Sequence, residues 1–148
     1  MLDNKHGRLT FKTNAEGYRL VFKPDHPRAT NGNHGYVYEH ILIAETALGK
    51  YIPIKHPVHH QDENNSNNQN SNLVICESHK YHMLLHARMR VLKAGYDPNL
   101  YKICTNCKIA KMKMYFTFKI SSHDNLDPSC VQCNALVHKL KKLNKRIK

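Results

Sequence analysis

Two pairs of histidines in this 148-residue chain have spacings that can do chemistry. His59 and His60 are adjacent, and His82 and His86 stand four apart. Imidazole ligates divalent metals and is the side chain best suited to move protons near neutral pH. Histidines at i and i+4 of a helix lie on one face, a turn apart, where they can share an ion. Neighbours on a strand point to opposite faces, so His59 and His60 reach one centre only if the strand bends or breaks beside them. The stretch between His59 and His86 thus holds candidates for a metal site and for a base.

A second constellation lies downstream. Cys104 and Cys107 form one CxxC pair, Cys130 and Cys133 another, with 22 residues between the pairs. Paired CxxC units at about this separation mark a structural tetrahedral zinc; the gap slightly exceeds the usual 15–20 or so, an excess that one hairpin absorbs. Disulfides are the alternative, but an unexported chain meets a reducing compartment. Zinc would stabilise a segment too small for a core of its own. Met112, Met114, Tyr115, Phe116 and Phe118 are expected to pack against it. Cys76 is left over and, following an apolar run, is expected to be buried.

The elements that position these residues follow from pattern. Glu16 to Phe22 has the composition of a short strand, stopped by Pro24 and Pro27. Asn31 to Gly35 is a turn, and Tyr36-Val37-Tyr38 a strand or the entry to a helix. Glu39 to Leu48 is a helix ended by Gly49. By default His26, His34, His40 and His56 are ordinary polar histidines of this scaffold. Val58-His59-His60 ends a short strand. The asparagine-rich run after it is bracketed by apolar strand-like residues, and asparagine caps its own turns, so an ordered hairpin loop is expected rather than a linker. Leu73-Val74-Ile75 returns as a strand. Ser78 caps a helix from about His79 to Ala94, with Gly95 as terminator and Leu84, Leu85, Val91 and Leu92 as its buried face. Tyr96 to Asn99 is a turn.

Length allows one domain, or one with a small appendage. No apolar run approaches about 18 residues, and the N-terminus has no apolar export segment, so a soluble, cytoplasmic chain without a membrane partner is expected. The formal charge of +12 is uneven. Residues 1–75 carry 8 basic and 7 acidic side chains, net +1; residues 76–148 carry 15 and 4, net +11. So one-sided an excess argues for a polyanionic partner, most simply nucleic acid. Arg88, Arg90, Lys111 and Lys113 are candidate phosphate contacts, as are Lys139, Lys141, Lys142, Lys145 and Arg146 near the end. Leu136, Leu140 and Leu143 repeat at helical spacing there, giving a basic helix along DNA or, on the plainer reading, a solvated tail.

The residues also carry a resemblance. The run from His59-His60 through Asp62, Asn67-Asn68 and Asn72-Leu73 to Tyr81-His82 and Leu85-His86 is similar, at the same spacings, to phage-type members of the HNH endonuclease family. The upstream run Pro24 to Pro27, Gly35-Tyr36-Val37, Glu39-His40 and Leu48-Gly49-Lys50 is similar as well, so the likeness spans roughly residues 17–92. Glu63 departs from it, where many members have glycine. The cysteine unit resembles the zinc finger that accompanies many such proteins.

What the resemblance implies is an α+β fold whose core, residues 58–92, is a ββα-metal finger. Residues 1–98 would be the nuclease domain and 99–148 a four-cysteine zinc finger with a basic tail, in a phage or bacterial setting. His60 would be the general base and Asn72 would hold it across the loop. His59, His82 and His86 would bind one divalent ion, with His86 at the limit of its reach and His79 a competitor. The ion would stabilise the leaving 3′ oxygen during hydrolysis of double-stranded DNA. Imidazole ligands suit Zn²⁺, Ni²⁺ or Mn²⁺ better than Mg²⁺, which prefers oxygen. The alternative is a zinc-finger DNA-binding protein whose HNH-like core does not cut. An RNA-directed protein is a third option, lowered by the lack of an evident aromatic platform for unstacked bases.

Overall fold

The computed structural model describes residues 2–3, 8–29, 32 and 34–146. Asn31 and Asn33 of the expected turn lie outside these, as does Lys148. The chain is mixed α and β and divides between His79 and Lys80 into two compact units.

In the first unit a short ribbon pairs β1 (Leu2–Asp3) with β2 (Arg8–Leu9). A three-stranded antiparallel sheet follows: β3 (Phe11–Thr13), β4 (Arg19–Phe22) and β5 (Tyr36–Tyr38), in that order across the sheet. β4 is shorter than the expected strand over Glu16–Phe22. Gly17 has φ 85° and closes a turn with its N–H on the Asn14 carbonyl, so pairing starts only at Arg19. Gly35 is needed for close approach: a Cβ there would stand 2.8 Å from Phe22 Cε2.

α1 (Glu39–Leu48) follows β5 without a connecting residue. Glu39 in its first turn complements the helix dipole, and Gly49, in the left-handed region, returns its N–H to the Glu45 carbonyl. The buried stripe His40, Ile41, Ala44 and Glu45 faces the sheets. Ile41 and Ala44 join Val37, Ile52 and Val58 in the core, against which Leu73 and Ile75 pack. Shaving Ile41 to Ala would cost about 2–5 kcal/mol.

Two polar groups, the half-buried Arg28 and the buried Glu45, hold the approach to the histidine strand. Arg28 Nη2 donates to the carbonyls of Ile52, Pro53 and His56. Glu45 accepts from the Ile52 N–H at 2.9 Å and from His26 Nε2 at 2.7 Å, and the Arg28 N–H in turn donates to His26 Nδ1. His26 is therefore a satisfied structural histidine, as its default reading has it. β6 (Val58–His60) pairs antiparallel with β7 (Leu73–Ile75), with His59 opposite Val74 and His60 opposite Leu73. The ladder continues through the Cys76 N–H to the Pro57 carbonyl, and Cys76 is fully buried.

The second unit holds α2 (His79–Lys93) from Lys80 onward, the β8 (Tyr101–Ile103) and β9 (Ala110–Met112) hairpin, and α3 (Val131–Arg146). Gly95 at φ 81° ends α2. Val91 is buried and Leu84 and Leu85 partly so, but Leu92 is exposed: it lies off the stripe that its three partners share. The core here is Cys104, Phe116 and Cys130, lined by Cys107, Leu126 and Cys133. Of the five apolar residues expected to pack against the cysteines, only Phe116 does. Met112, Met114, Tyr115 and Phe118 are exposed, because four sulfurs already fill most of so small a core. Among the described residues, no helix is long and apolar enough to cross a membrane.

Candidate functional site

His59 and His60 are buried on a three-residue strand that stays regular through its last residue. Their side chains therefore leave opposite faces. His60 meets the His40 ring edge-on at 4.9 Å between centroids, with the Tyr18 ring at 6.0 Å.

The loop that joins the two strands is ordered by its own side chains. Asp62 accepts from the Asn64 N–H, from Asn67 Nδ2 and from Asn72 Nδ2, bonds that hold its carboxyl below the usual range. Asn72, buried, also accepts from the Asp62 N–H and donates to the Asn67 carbonyl. Its carbonyl takes the Gln61 N–H at the mouth of the loop. Glu63 adopts φ 59°, the left-handed conformation that glycine would take without strain. Asn65 Nδ2 anchors the loop to the Glu16 carbonyl.

The hydrogen bond to His60 itself comes from a different asparagine. His60 Nε2 lies 2.9 Å from Asn68 Oδ1, and Asn68 Nδ2 donates to Glu39 Oε2 at 2.8 Å. A carboxylate only accepts, so Glu39 fixes which way the Asn68 amide faces. The amide oxygen must then point at His60, Nε2 must carry the proton, and Nδ1 keeps the lone pair. Arg19 Nε, 3.2 Å from Glu39 Oε1, completes the chain. Asn72 thus buttresses the loop through Asp62, while Asn68 touches the imidazole. Sequence reasoning gave Asn68 no role because six asparagines lie in the run from Asn64 to Asn72, and spacing alone does not separate them.

His40, by default a scaffold histidine, packs against His60. It is buried between Tyr18, Tyr38 and His60. Burial first, then the neighbouring His60 and Arg28, lower its pKa to about 4, so its ring is neutral near pH 7.

In the second unit His82 and His86 stack edge-on along α2 with their Nε2 atoms 3.2 Å apart. Two imidazoles on one tetrahedral ion at about 2.0–2.1 Å place their nitrogens about 3.3 Å apart, so this spacing fits a shared ion.

The four cysteines form the clearer cluster. Their sulfurs all lie within 4.8 Å of one another. Tetrahedral zinc at about 2.3 Å requires roughly 3.8 Å between sulfurs, so the donors fit. The turn after Cys104 brings the Lys108 N–H to the Cys104 carbonyl, and the Cys130 N–H donates to Cys104 Sγ at 3.3 Å. Four thiols this close cannot all ionise alone. Burial raises the Cys104 pKa, but the N–H groups of Cys130, Cys107 and Asn106 outweigh it and bring it to about 6. Cys133, hydrogen-bonded to the Cys130 sulfur and desolvated, is pushed up to about 12. A bound cation removes that competition.

The candidate phosphate contacts all lie in the second unit. Arg90 and the α3 lysines Lys139, Lys141, Lys142 and Lys145 are exposed; Arg88 donates to Asn99 and Lys111 to Gln132. Lys113 is half-buried; Arg146 ends α3. Lys102, another cation near the finger, is buried against Asp124.

Residues 37–84 match the family model of the HNH endonucleases. The matched run contains His59, His60, Asn68, Asn72 and His82 and stops two residues before His86. No curated protein and no solved structure matches the chain. An HNH segment points to endonuclease action on nucleic acid and to use of a divalent metal, and the cysteine cluster is consistent with a zinc finger.

Proposed function

Starting from an HNH endonuclease segment at residues 37–84, we propose that this chain hydrolyses phosphodiester bonds of double-stranded DNA. The observation that carries the reading is that this segment contains His60, whose neutral tautomer is selected by the Asn68–Glu39 pair. With Nε2 protonated, Nδ1 is free to take a proton from an attacking water. Asn72 keeps the loop, and with it the Asn68 amide, in place. Water is a poor nucleophile and the leaving alkoxide is basic, so both ends of the displacement need help.

In this reading His59, His82 and His86 would hold one divalent ion, as the likeness to the family implies. An ion held there supplies charge stabilisation at the scissile phosphate and the leaving 3′ oxygen. Neutral imidazole donors favour Zn²⁺, Ni²⁺ or Mn²⁺ over Mg²⁺. Residues 1–98 do the cutting. Residues 99–148, built on zinc at Cys104, Cys107, Cys130 and Cys133, hold the DNA, and Arg88 and Arg90 add to the grip. The test is supercoiled plasmid incubated with protein stripped by a chelator, then given each metal in turn. Conversion to nicked or linear plasmid with at least one metal is expected; intact plasmid with all of them, despite binding, would leave a DNA-binding protein that does not cut.

A further inference from the structure

The second unit carries the whole formal charge excess, with 15 basic and 3 acidic residues in 80–148 against 8 and 8 before it. It also presents large apolar side chains to solvent. Phe118 is 72 % exposed and Ile120 74 %, with Lys119 between them. A frayed loop would explain such exposure, but this segment is tightly built. Phe118 bridges Leu126 in antiparallel fashion. The Lys119 N–H donates to the Asn125 carbonyl and the Asp127 N–H to the Thr117 carbonyl, both at 2.8 Å. Asn125, in the left-handed region at φ 59°, turns the chain, and Lys80 Nζ clamps the turn through the Ile120 carbonyl and Asn125 Oδ1.

A rigid hairpin that holds a phenylalanine and an isoleucine in water is costly to solvation unless something covers them. The charges nearest in sequence say what. Both carboxylates of the hairpin are engaged, Asp124 with Lys102 and Asp127 with the Ser129 N–H. The adjoining cation Lys119 is exposed. With Lys80, Lys102 and Lys119 against Asp124 and Asp127, the hairpin and the lysines that hold it keep one net positive charge inside a strongly basic unit, so the apolar tips stand beside positive charge, which suits a partner offering flat apolar faces beside anions. Stacked bases flanked by phosphates have that chemistry; an acidic protein surface offers the anions without the stacked faces. Apolar side chains that enter and unstack a duplex base step are an established way of bending DNA.

We propose that the 117–127 hairpin is a wedge: Phe118 and Ile120 enter a base step of duplex DNA while Lys119 contacts the neighbouring phosphate. The inference rests on the DNA reading above but not on cleavage. Entry at a step unstacks it and bends the duplex. The side chains act on the stack, and the lysine on the backbone.

The test uses the zinc-loaded full chain carrying His60→Ala, so that the DNA stays intact, and duplexes with 2-aminopurine placed at successive positions. Binding should raise 2-aminopurine fluorescence at one step. Phe118→Ala combined with Ile120→Ala should abolish the rise and weaken binding about tenfold, the scale of one base–aromatic stacking pair, with zinc content and salt slope unchanged. Phe118→Leu should retain most of the rise, which separates a wedge from a folding defect. Lys119→Ala should do the reverse, lowering the salt slope by about 0.9 while keeping the fluorescence. Unchanged fluorescence and affinity in the double variant overturn the proposal and assign the hairpin to a protein partner. A rise seen only with single-stranded oligonucleotide overturns it in favour of strand capture. Cleavage by the unmutated chain is scored separately: binding without cutting refutes the nuclease reading and leaves the wedge standing.

Discussion

Asn68→Ala removes a side chain that hydrogen-bonds His60 and is itself held by Glu39. Its amide bridges His60 Nε2 at 2.9 Å and Glu39 Oε2 at 2.8 Å. While the imidazole is neutral the bond is ordinary, worth about 0.5–1.5 kcal/mol net. As Nδ1 takes the proton of water, the ring becomes a cation and the same bond is charge-assisted, worth about 1.5–3 kcal/mol. The part gained on charging is lost from the transition state together with the fixed tautomer and ring orientation. That gain is about 1–1.5 kcal/mol, so at about 1.36 kcal/mol per tenfold the rate should fall about 5- to 13-fold. That is smaller than loss of a base, about 10²–10⁴-fold. The assay is single-turnover cleavage of supercoiled plasmid at saturating protein, with zinc content and binding measured alongside. A rate equal to wild type would show that Asn68 does not orient the base. A rate as low as that of His60→Ala would show that it does more than orient it.

His82→Ala should lower cleavage and the affinity for an added divalent ion while one tightly held zinc per chain remains, read by metal analysis after dialysis. Stripping that zinc should unfold the β8–β9 unit, because four of the six residues of its core are the ligand cysteines, and amide exchange of residues 101–133 reports it. Removing residues 136–148 deletes six basic residues and should weaken DNA binding, with the salt slope falling by about 0.9 for each phosphate no longer neutralised, while the single-turnover rate at saturation holds. His40 predicts an acid dependence of stability. Its folded pKa, about 4, lies below the ordinary 6.5, so the unfolded chain takes up the proton first. The contribution is fully present above pH 6.5 and is lost as pH falls toward 4, about 3 kcal/mol in all. In urea unfolding, wild type should lose about that much stability relative to His40→Gln between pH 7 and pH 4; parallel curves would refute it.

The regular elements of the first unit were legible because their signals are local. Glu39 to Leu48 with Gly49, and the two strands around the asparagine loop, follow from periodicity and stop residues. The cysteine cluster was legible from spacing alone. The partner of His60 was not. Asn68, Glu39 and Arg19 come from a loop, a helix start and a strand, and only tertiary packing joins them. The exposure of Met114 and Phe118 was hidden for a different reason. Apolar residues beside a metal knuckle ordinarily fill its core, yet this core is closed by sulfur and Phe116. Leu92 shows the limit of counting helical spacing, since a stripe one residue too wide places a leucine in water.

In the proposed reaction His60 takes the proton from water while the rest of the chain binds and positions. Single-turnover cleavage by His60→Ala, at protein concentrations that saturate the DNA, tests it most directly. The expected result is a fall of about 10²–10⁴-fold with DNA affinity, zinc content and divalent-ion affinity unchanged. Cleavage near the wild-type rate would contradict it.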